Sequence, residues 1–373
     1  MMSFVKYWPE LVFSALCLVV LIQLFYYCFF FLRLAHYEHL QKDGEVPLSV
    51  IVCARNESGN IRSHLPEVLQ QRYTSEHEYL LVDDQSTDNT AVVLAAFKQQ
   101  YPRLATLELK HEAKTLPGKK FPLSKGIAAA RYETLLLTDA DCAPASDRWM
   151  HLMQSVYTSG IGVVLGYGAY RKKDGLLNKV IRFETFHSAL QYLSYALAGL
   201  TYMGVGRNLS YRRELYFDND GFASISQVPG GDDDLFINKV ATKRNTTIMI
   251  DPAAHTLSEP KSSWKEWYTQ KTRHYSTAKY YQLQHKILLG LYSATQVLTY
   301  PLFLLAFLFF DWQLATAVFA SRLVLQAYVY YRTMRKLNEA DLWPLFLLLE
   351  IGMCFYYALF LPSLFRRAKK TWN

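Results

Sequence analysis

The chain has 373 residues, 51% of them hydrophobic, 15% aromatic and 19% charged; 40 Lys and Arg against 32 Asp and Glu leave a net charge of +8. That apolar content excludes a disordered protein, and five scattered cysteines with no C-x-x-C pair support neither a disulfide framework nor a zinc site. The apolar excess lies at the two ends, so the pattern is that of a membrane protein with a soluble middle.

In chain order, residues 11–32 carry no charge and are long enough to cross a bilayer. Bulky residues continue to Arg33 with no small-residue cleavage site, which predicts an anchor rather than a signal peptide. Trp8, Tyr26 and Tyr27 suit interface belts. The middle opens with a β-branched run at 46–52, the pattern of a buried parallel strand. A second run, 79–82, stops at Asp83-Asp84, and a third, 134–138, stops at Asp139-Ala140-Asp141. Helical patterns at 61–71 and 89–100 lie between, so strand and helix alternate. That alternation predicts a doubly wound, Rossmann-like α/β sheet with its ligand beyond the carboxyl ends of the strands.

The polar strand ends are where chemistry is expected. Asp139 and Asp141 are two apart on an extended chain and face the same way. Together with phosphate oxygens and water they suit Mg²⁺ or Mn²⁺, although an isolated pair of this kind also serves as a turn or cap. Within 83–88, acidic groups either accept from ribose and base donors or cap the following helix. Asp88 is expected to cap and Asp84 to reach the ligand. Gly118-Lys119-Lys120 lacks P-loop spacing and reads either as a solvated basic turn or as a diphosphate contact. Gly230-Gly231-Asp232-Asp233-Asp234 sets three acids side by side, which suggests different jobs, such as a base and a structural ligand. Gln270 and Arg273 share a helix face, and arginine forks onto phosphate oxygens. Trp264, Lys265 and Trp267 fit a helix near 262–280 lying along a membrane surface.

Three further apolar stretches follow: 287–310, 312–331 with Arg322 inside it, and 343–365 with Glu350 inside it. Charges at such depth are expensive, so Arg322 and Glu350 either pair or handle substrate. Arg332, Arg335 and Lys336 predict a cytoplasmic loop, and with it a cytoplasmic middle domain. The equally basic tail (Arg366, Arg367, Lys369, Lys370) would fall on the opposite side after four crossings, so one stretch is expected to be re-entrant or interfacial.

The order of these motifs is more specific than any one of them. Asn56-Glu57, Val82-Asp83-Asp84-x-Ser86-Thr87-Asp88, Gly118-Lys119, Asp139-x-Asp141, Gly204-x-Gly206-x-Asn208, Gly231-Asp232-Asp233 and Gln270-x-x-Arg273 follow in sequence. Over residues 46–274 the chain resembles the membrane-bound family 2 glycosyltransferases, whose nucleotide-sugar domain has the GT-A fold and which include ceramide glucosyltransferases and polysaccharide synthases. The resemblance implies an anchor at 1–35, a GT-A domain at 36–286 and membrane segments at 287–373. It implies a metal-dependent, inverting hexosyltransferase in a multi-pass membrane protein. The sugar would pass from a nucleotide donor, UDP-linked, to a lipid or glycan hydroxyl, with no nucleic-acid partner. Asp233 maps to the base, with Asp232 in the preceding acidic position. Ala54, Asn56, Glu57, Asp83, Asp84, Lys119, Asp139, Gln270, Arg273 and His274 map to the donor site, and Asp139 and Asp141 to the metal. His274 stands where processive synthases carry Trp, which argues against a processive enzyme. A metal-dependent nucleotidyl- or phosphotransferase and a non-catalytic sugar-nucleotide-binding membrane protein are the competing readings.

Overall fold

The computed structural model describes residues 7–39, 44–110 and 112–364, so the basic tail lies outside the described residues. The chain forms two compact units: residues up to Tyr37 together with Gln282–Pro362, and Glu38–Tyr281. The first element among the described residues, α1, is a helix over Trp8–Ala35 with a π-helical turn at Tyr27–Phe31. Pro9 in its first turn suits a position where a backbone donor is unsatisfied anyway.

The second unit is built on a seven-stranded sheet. Its main elements in order are β1 (Leu48–Ala54), α2 (Ser58–Leu69), β2 (His77–Asp83), α3 (Thr90–Gln100), β3 (Leu104–Glu108), α4 (Lys120–Ala129), β4 (Thr134–Asp139), β5 (Cys142–Pro144), α5 (Trp149–Ser155), β6 (Val163–Leu165), β7 (Gly168–Tyr170), α6 (Leu176–Leu197), β8 (Leu209–Arg212), α7 (Asp234–Val240), β9 (Thr246–Ile248), β10 (Thr256–Ser258) and α8 (Trp264–Tyr275), with a five-residue helix at Arg213–Phe217 after β8. The strand order is β3-β2-β1-β4-β8-β6-β9; β1 to β4 run parallel, and β8 runs antiparallel to both neighbours. A small second sheet has the order β5-β10-β7.

All seven residues of β1 are buried, as a strand covered on both faces requires. Val50, Val52, Leu81 and Leu136 pack with Ile61, Leu65 and Val68 of α2 and with Trp149 and Met153 of α5. On the other face α4 lies close: a Cβ on Gly126 would sit 2.9 Å from Ile51 and 3.0 Å from Val82, so only glycine permits this approach. Chain order reverses between β1 and β4. That switch point opens a crevice at the carboxyl ends of the two strands.

α6 departs from the sequence reading, which placed no helix there. It is buried almost all round although it carries Arg182, Glu184, His187 and Gln191. Lys271 of α8 forms a buried ion pair with Glu184, which compensates that charge.

The membrane-type unit continues with α9 (Leu283–Phe309), α10 (Trp312–Lys336) and α11 (Phe346–Phe360). Among the described residues, three helices are long and apolar enough to cross a bilayer: Trp8–Ala35, Leu283–Phe309 and Ala340–Leu364. The stretch at 312–331, expected as a further crossing, is helical but falls short of that apolarity. Arg322, Gln326, Tyr330 and Thr333 form a fully buried polar stripe along one of its faces. Polar bonds also join α1 to α9: Gln23 donates to Thr295 Oγ1 (2.7 Å) and the Tyr26 hydroxyl to the Leu288 carbonyl (2.7 Å).

Of the two roles open to Arg322 and Glu350, the structure shows pairing. The guanidinium donates to Glu350 at 2.8 Å, and the Tyr330 hydroxyl donates to the other carboxylate oxygen at 2.7 Å. Glu350→Leu strands a buried cation and should cost about 3–5 kcal/mol. Arg322→Met with Glu350→Leu should recover most of that loss, read as thermal unfolding in detergent. A double variant as unstable as the single one would contradict a purely paired role.

Candidate active site

β1, β2 and β4 deliver their terminal residues to one level, since Ala54 pairs in register with Asp83 and Cys53 with Asp139. Ala54 is buried, and its carbonyl accepts the Asp84 N–H (2.8 Å), tying the β2 exit to β1. The loops beyond are joined further. Asn56, in the left-handed region at φ 57°, donates its N–H to Ser86 Oγ (2.9 Å) and accepts the Thr87 N–H (2.7 Å). Asn tolerates that conformation better than other non-glycine residues. Asp88 accepts from the Thr90 N–H (2.9 Å) and the Ser58 N–H (3.2 Å), so one carboxylate caps both α2 and α3. Burial works against its charge, but the hydrogen bonds from Thr90 and Ser58 outweigh it and hold the carboxyl at about 2.

Asp83 and Asp84 are both buried. Asp83 accepts the Ser86 N–H (3.1 Å). Asp84, expected to face outward to a ligand, is paired with Lys114 (2.6 Å), a residue the sequence reading did not single out. Its Oδ1 is buried and has no hydrogen-bond partner among the described residues. Glu57 bonds Asn60 (2.6 Å), and its carboxyl is pushed up by burial and by the charges of Asp141 and Asp139.

Asp139 forms an ion pair with Lys119. Burial acts to raise its carboxyl, but the ammonium of Lys119, with Arg207 and Arg273 behind it, holds it below the usual range. Lys119 in turn is held charged, because Asp139 and Asp232 outweigh the effect of burial. Asp139, Asp141 and Cys142 bring one ligand atom each within 4.8 Å of one another. The two carboxylates are hard oxygen donors that fit Mg²⁺ or Mn²⁺. Cys142 is buried, which raises its thiol well above the usual value and keeps it protonated.

Arg207 was hidden in the sequence between the glycines and asparagine of Gly204-x-Gly206-x-Asn208. Its guanidinium donates to the Gly168 carbonyl (2.8 Å) and to Ser258 Oγ (3.1 Å) and lies 4.5 Å from the Tyr170 ring centre. It is therefore fixed beside the Asp139–Asp141 pair before any ligand arrives.

The basic loop divides its two lysines. Gly118 has φ +65°, and a Cβ there would lie 2.2 Å from the Pro229 carbonyl oxygen, so the turn requires glycine. Lys120 points inward and donates to the carbonyls of Val228 and Gly230 (2.8 Å to the latter). It is neither a solvated turn residue nor a phosphate contact, but a clamp on the segment that leads to the three acids.

Those acids separate by environment. Asp234 is buried and accepts from Thr277 Oγ1 (2.5 Å) and the Tyr281 hydroxyl (2.9 Å). Asp233 is the N-cap of α7 and accepts the N–H groups of Asp234 (2.8 Å) and Gly206 (2.8 Å). Burial, then the charges of Asp232 and Asp234, push the Asp233 carboxyl up to about 7. The charge of Asp232 acts on both Lys119 and Lys120.

α8 starts with an N-cap: Ser263 Oγ accepts the Glu266 N–H (3.3 Å), and the Glu266 carboxylate accepts the N–H of Ser262, the residue before the cap (3.3 Å). Trp267 is buried while Trp264, Arg273 and His274 are exposed. Gln270 Oε1 is buried without a partner among the described residues.

Residues 49–218 match the model of the family described as Glycosyl transferase family 2. The chain carries a family 2 glycosyltransferase domain. It is 30% identical over 155 residues to poly-beta-1,6-N-acetyl-D-glucosamine synthase of Staphylococcus epidermidis, covering 41% of this chain and 35% of that one. It is 29% identical over 130 residues to beta-monoglucosyldiacylglycerol synthase of Nostoc sp., covering 34% of this chain and 27% of that one. The chain thus spans about a third of the length of the curated relatives it matches. Among solved structures, the mannosyltransferase PcManGT from Pyrobaculum calidifontis, in complex with GDP-Man and Mn²⁺, superposes with a TM-score of 0.57 at 19% identity, covering 93% of this chain and 99% of that one. The family 2 domain has the GT-A fold, flanked by candidate membrane-spanning helices.

Proposed function

We propose that the chain transfers a sugar, with inversion, from a nucleoside diphosphate donor, UDP-linked, to a hydroxyl of a lipid or glycan. It does so as a multi-pass membrane protein with its catalytic domain in the cytoplasm. The observation that carries this reading is the carboxylate pair at the end of β4, set among Lys119, Arg207 and Arg273. Such a pair beside three cations suits a leaving diphosphate. The relatives support the two acceptor classes, since one is named for a glycan product and the other for a glycolipid. The three candidate spans support the lipid among them.

The buried, unpartnered Asp84 Oδ1 would accept an N–H of the nucleotide base, with Asp83, Asn56 and Glu57 shaping that end of the crevice. A divalent cation held by Asp139 and Asp141 would offset charge that develops on the diphosphate. Arg273 and Lys119 add fixed positive charge at the same place, with Gln270 and His274 on the same helix as Arg273. Asp233 takes the proton from the acceptor hydroxyl as its oxygen bonds to the anomeric carbon. The bond from that carbon to the diphosphate oxygen breaks on the opposite face, and its electron pair leaves with the diphosphate. A carboxyl near 7 suits this work, because it is ionised often enough to act and still basic enough to hold the proton.

Arg273→Lys keeps the charge and loses the fork. Turnover should fall roughly 10–100-fold, the worth of one charged hydrogen bond, in steady-state assays on the detergent-purified chain. Unchanged turnover would assign Arg273 to the membrane surface instead. The reaction class is tested with donors labelled either in the sugar or in the β-phosphate. Sugar label alone should reach the acceptor; phosphate label there would mean a phosphotransferase.

A further inference from the structure

Asp141 does not stand alone at the end of β4. The Cys142 thiol donates to Asp141 Oδ1 at 3.3 Å, and its sulfur lies 3.0 Å from Ser258 Oγ. Ser258, the last residue of β10, accepts from Arg207 Nη1 at 3.1 Å. The direction of each bond is settled by counting protons. Cysteine has one S–H to give, and Asp141 takes it. The contact between Ser258 and Cys142 must therefore run from hydroxyl to sulfur, which leaves the serine oxygen to accept from the guanidinium. The four groups form a one-way chain that begins on a cation and ends on a carboxylate, so each bond polarises the next. Arg207 is itself held by the Gly168 carbonyl and the Tyr170 ring, and Cys142 and Ser258 are buried. The chain is therefore anchored at its far end and shielded from water along its middle.

Building on the glycosyltransferase reading, we propose that Arg207, Ser258 and Cys142 are positioning residues for the metal. They engage Oδ1 of Asp141, fix the rotation of its carboxylate and leave Oδ2 for the cation. Groups that orient a metal ligand from behind typically change metal affinity by 10–100-fold when removed. Here that outer support comes from the small second sheet, since β5 supplies Cys142 and β10 supplies Ser258. Cys142 acts as a proton donor in this arrangement, not as a ligand.

The test is binding of Mn²⁺ to the detergent-purified full chain in the presence of UDP and, separately, GDP, with free Mn²⁺ read by electron paramagnetic resonance. Ser258→Ala and Cys142→Ala should each weaken Mn²⁺ by roughly 10–100-fold. Cys142→Ser, whose hydroxyl can accept from Ser258 and donate to Asp141, should stay close to wild type. Nucleotide binding without metal should be unchanged in all three, which also reports that each variant is folded. Alanine variants that bind Mn²⁺ as tightly as wild type would overturn the positioning role while leaving the metal site standing. Cys142→Ser as weak as Cys142→Ala, together with a sulfur-to-metal charge-transfer band when wild type takes up Cd²⁺, would overturn it in favour of a thiolate ligand. Absence of Mn²⁺ binding by the wild type with either nucleotide would remove the metal reading itself, and this inference with it.

Discussion

Asp233→Asn is expected to lower turnover by roughly 10²–10⁴-fold, the usual contribution of a positioned general base, with donor binding nearly unchanged. The amide cannot take the acceptor's proton; it is the same size, but its single oxygen keeps only one of the two N–H bonds, since Gly206 bonds Oδ2 and Asp234 bonds Oδ1. The pH profile supplies an independent reading. Burial and the neighbouring acids raise the carboxyl to about 7, and the base works only when ionised. Wild-type kcat/KM should therefore rise with pH up to about 7 and level off above it. Each unit below that point costs about tenfold. That acidic limb should vanish in the residual activity of Asp233→Asn. Asp232→Asn is the decisive control, because Asp232 acts on Lys119 at the same site. Loss of the limb in Asp232→Asn, with Asp233→Asn active, would move the base by one residue.

Asp141→Asn is expected to abolish metal-dependent turnover, a loss of roughly 10³-fold or more for several kcal/mol of charge stabilisation. The variant should remain folded, because Asp141 lies at the surface of the crevice rather than within the core. Wild type in excess chelator should fall to the same level, and Mn²⁺ should restore wild type but not the variant. Full activity of Asp141→Asn, or indifference of wild type to chelator, would remove the metal from the reaction.

Much of the domain was legible because its central strands are plain. β1 is buried on both faces and is centred on the β-branched run Val50-Ile51-Val52, and β2 and β4 announce their ends by switching to aspartate. Helix limits were less accessible. The pattern at 61–71 is helical from Ser58 to Leu69, since Asp88, a residue of another loop, caps its start. α6 was missed because its charges argue against burial; the partner that permits Glu184, Lys271, lies far along the chain. The strands of three residues, including both that carry the support for Asp141, are too short to show a period.

In the site, residue types were readable but their orientations were not. Lys119 and Lys120 are neighbours of the same kind, yet one faces Asp139 and the other clamps the Val228 and Gly230 carbonyls. Three consecutive aspartates likewise separate only through what surrounds them. Asp234 is claimed by Thr277 and Tyr281, and Asp233 by two backbone N–H groups. Arg207 gave no signal of its own, because its partners are two backbone carbonyls, a serine and a ring brought together only by the fold.

The most direct measurement of the central claim is to incubate membranes containing the chain with a panel of nucleotide sugars labelled in the sugar, and to extract the lipid phase. Labelled lipid or glycan is expected from at least one donor, formed only with a divalent cation and together with an equal amount of nucleoside diphosphate, and none from membranes carrying Asp233→Asn. No labelled lipid or glycan from any donor, or product labelled equally by the Asp233→Asn membranes, would contradict the glycosyltransferase reading.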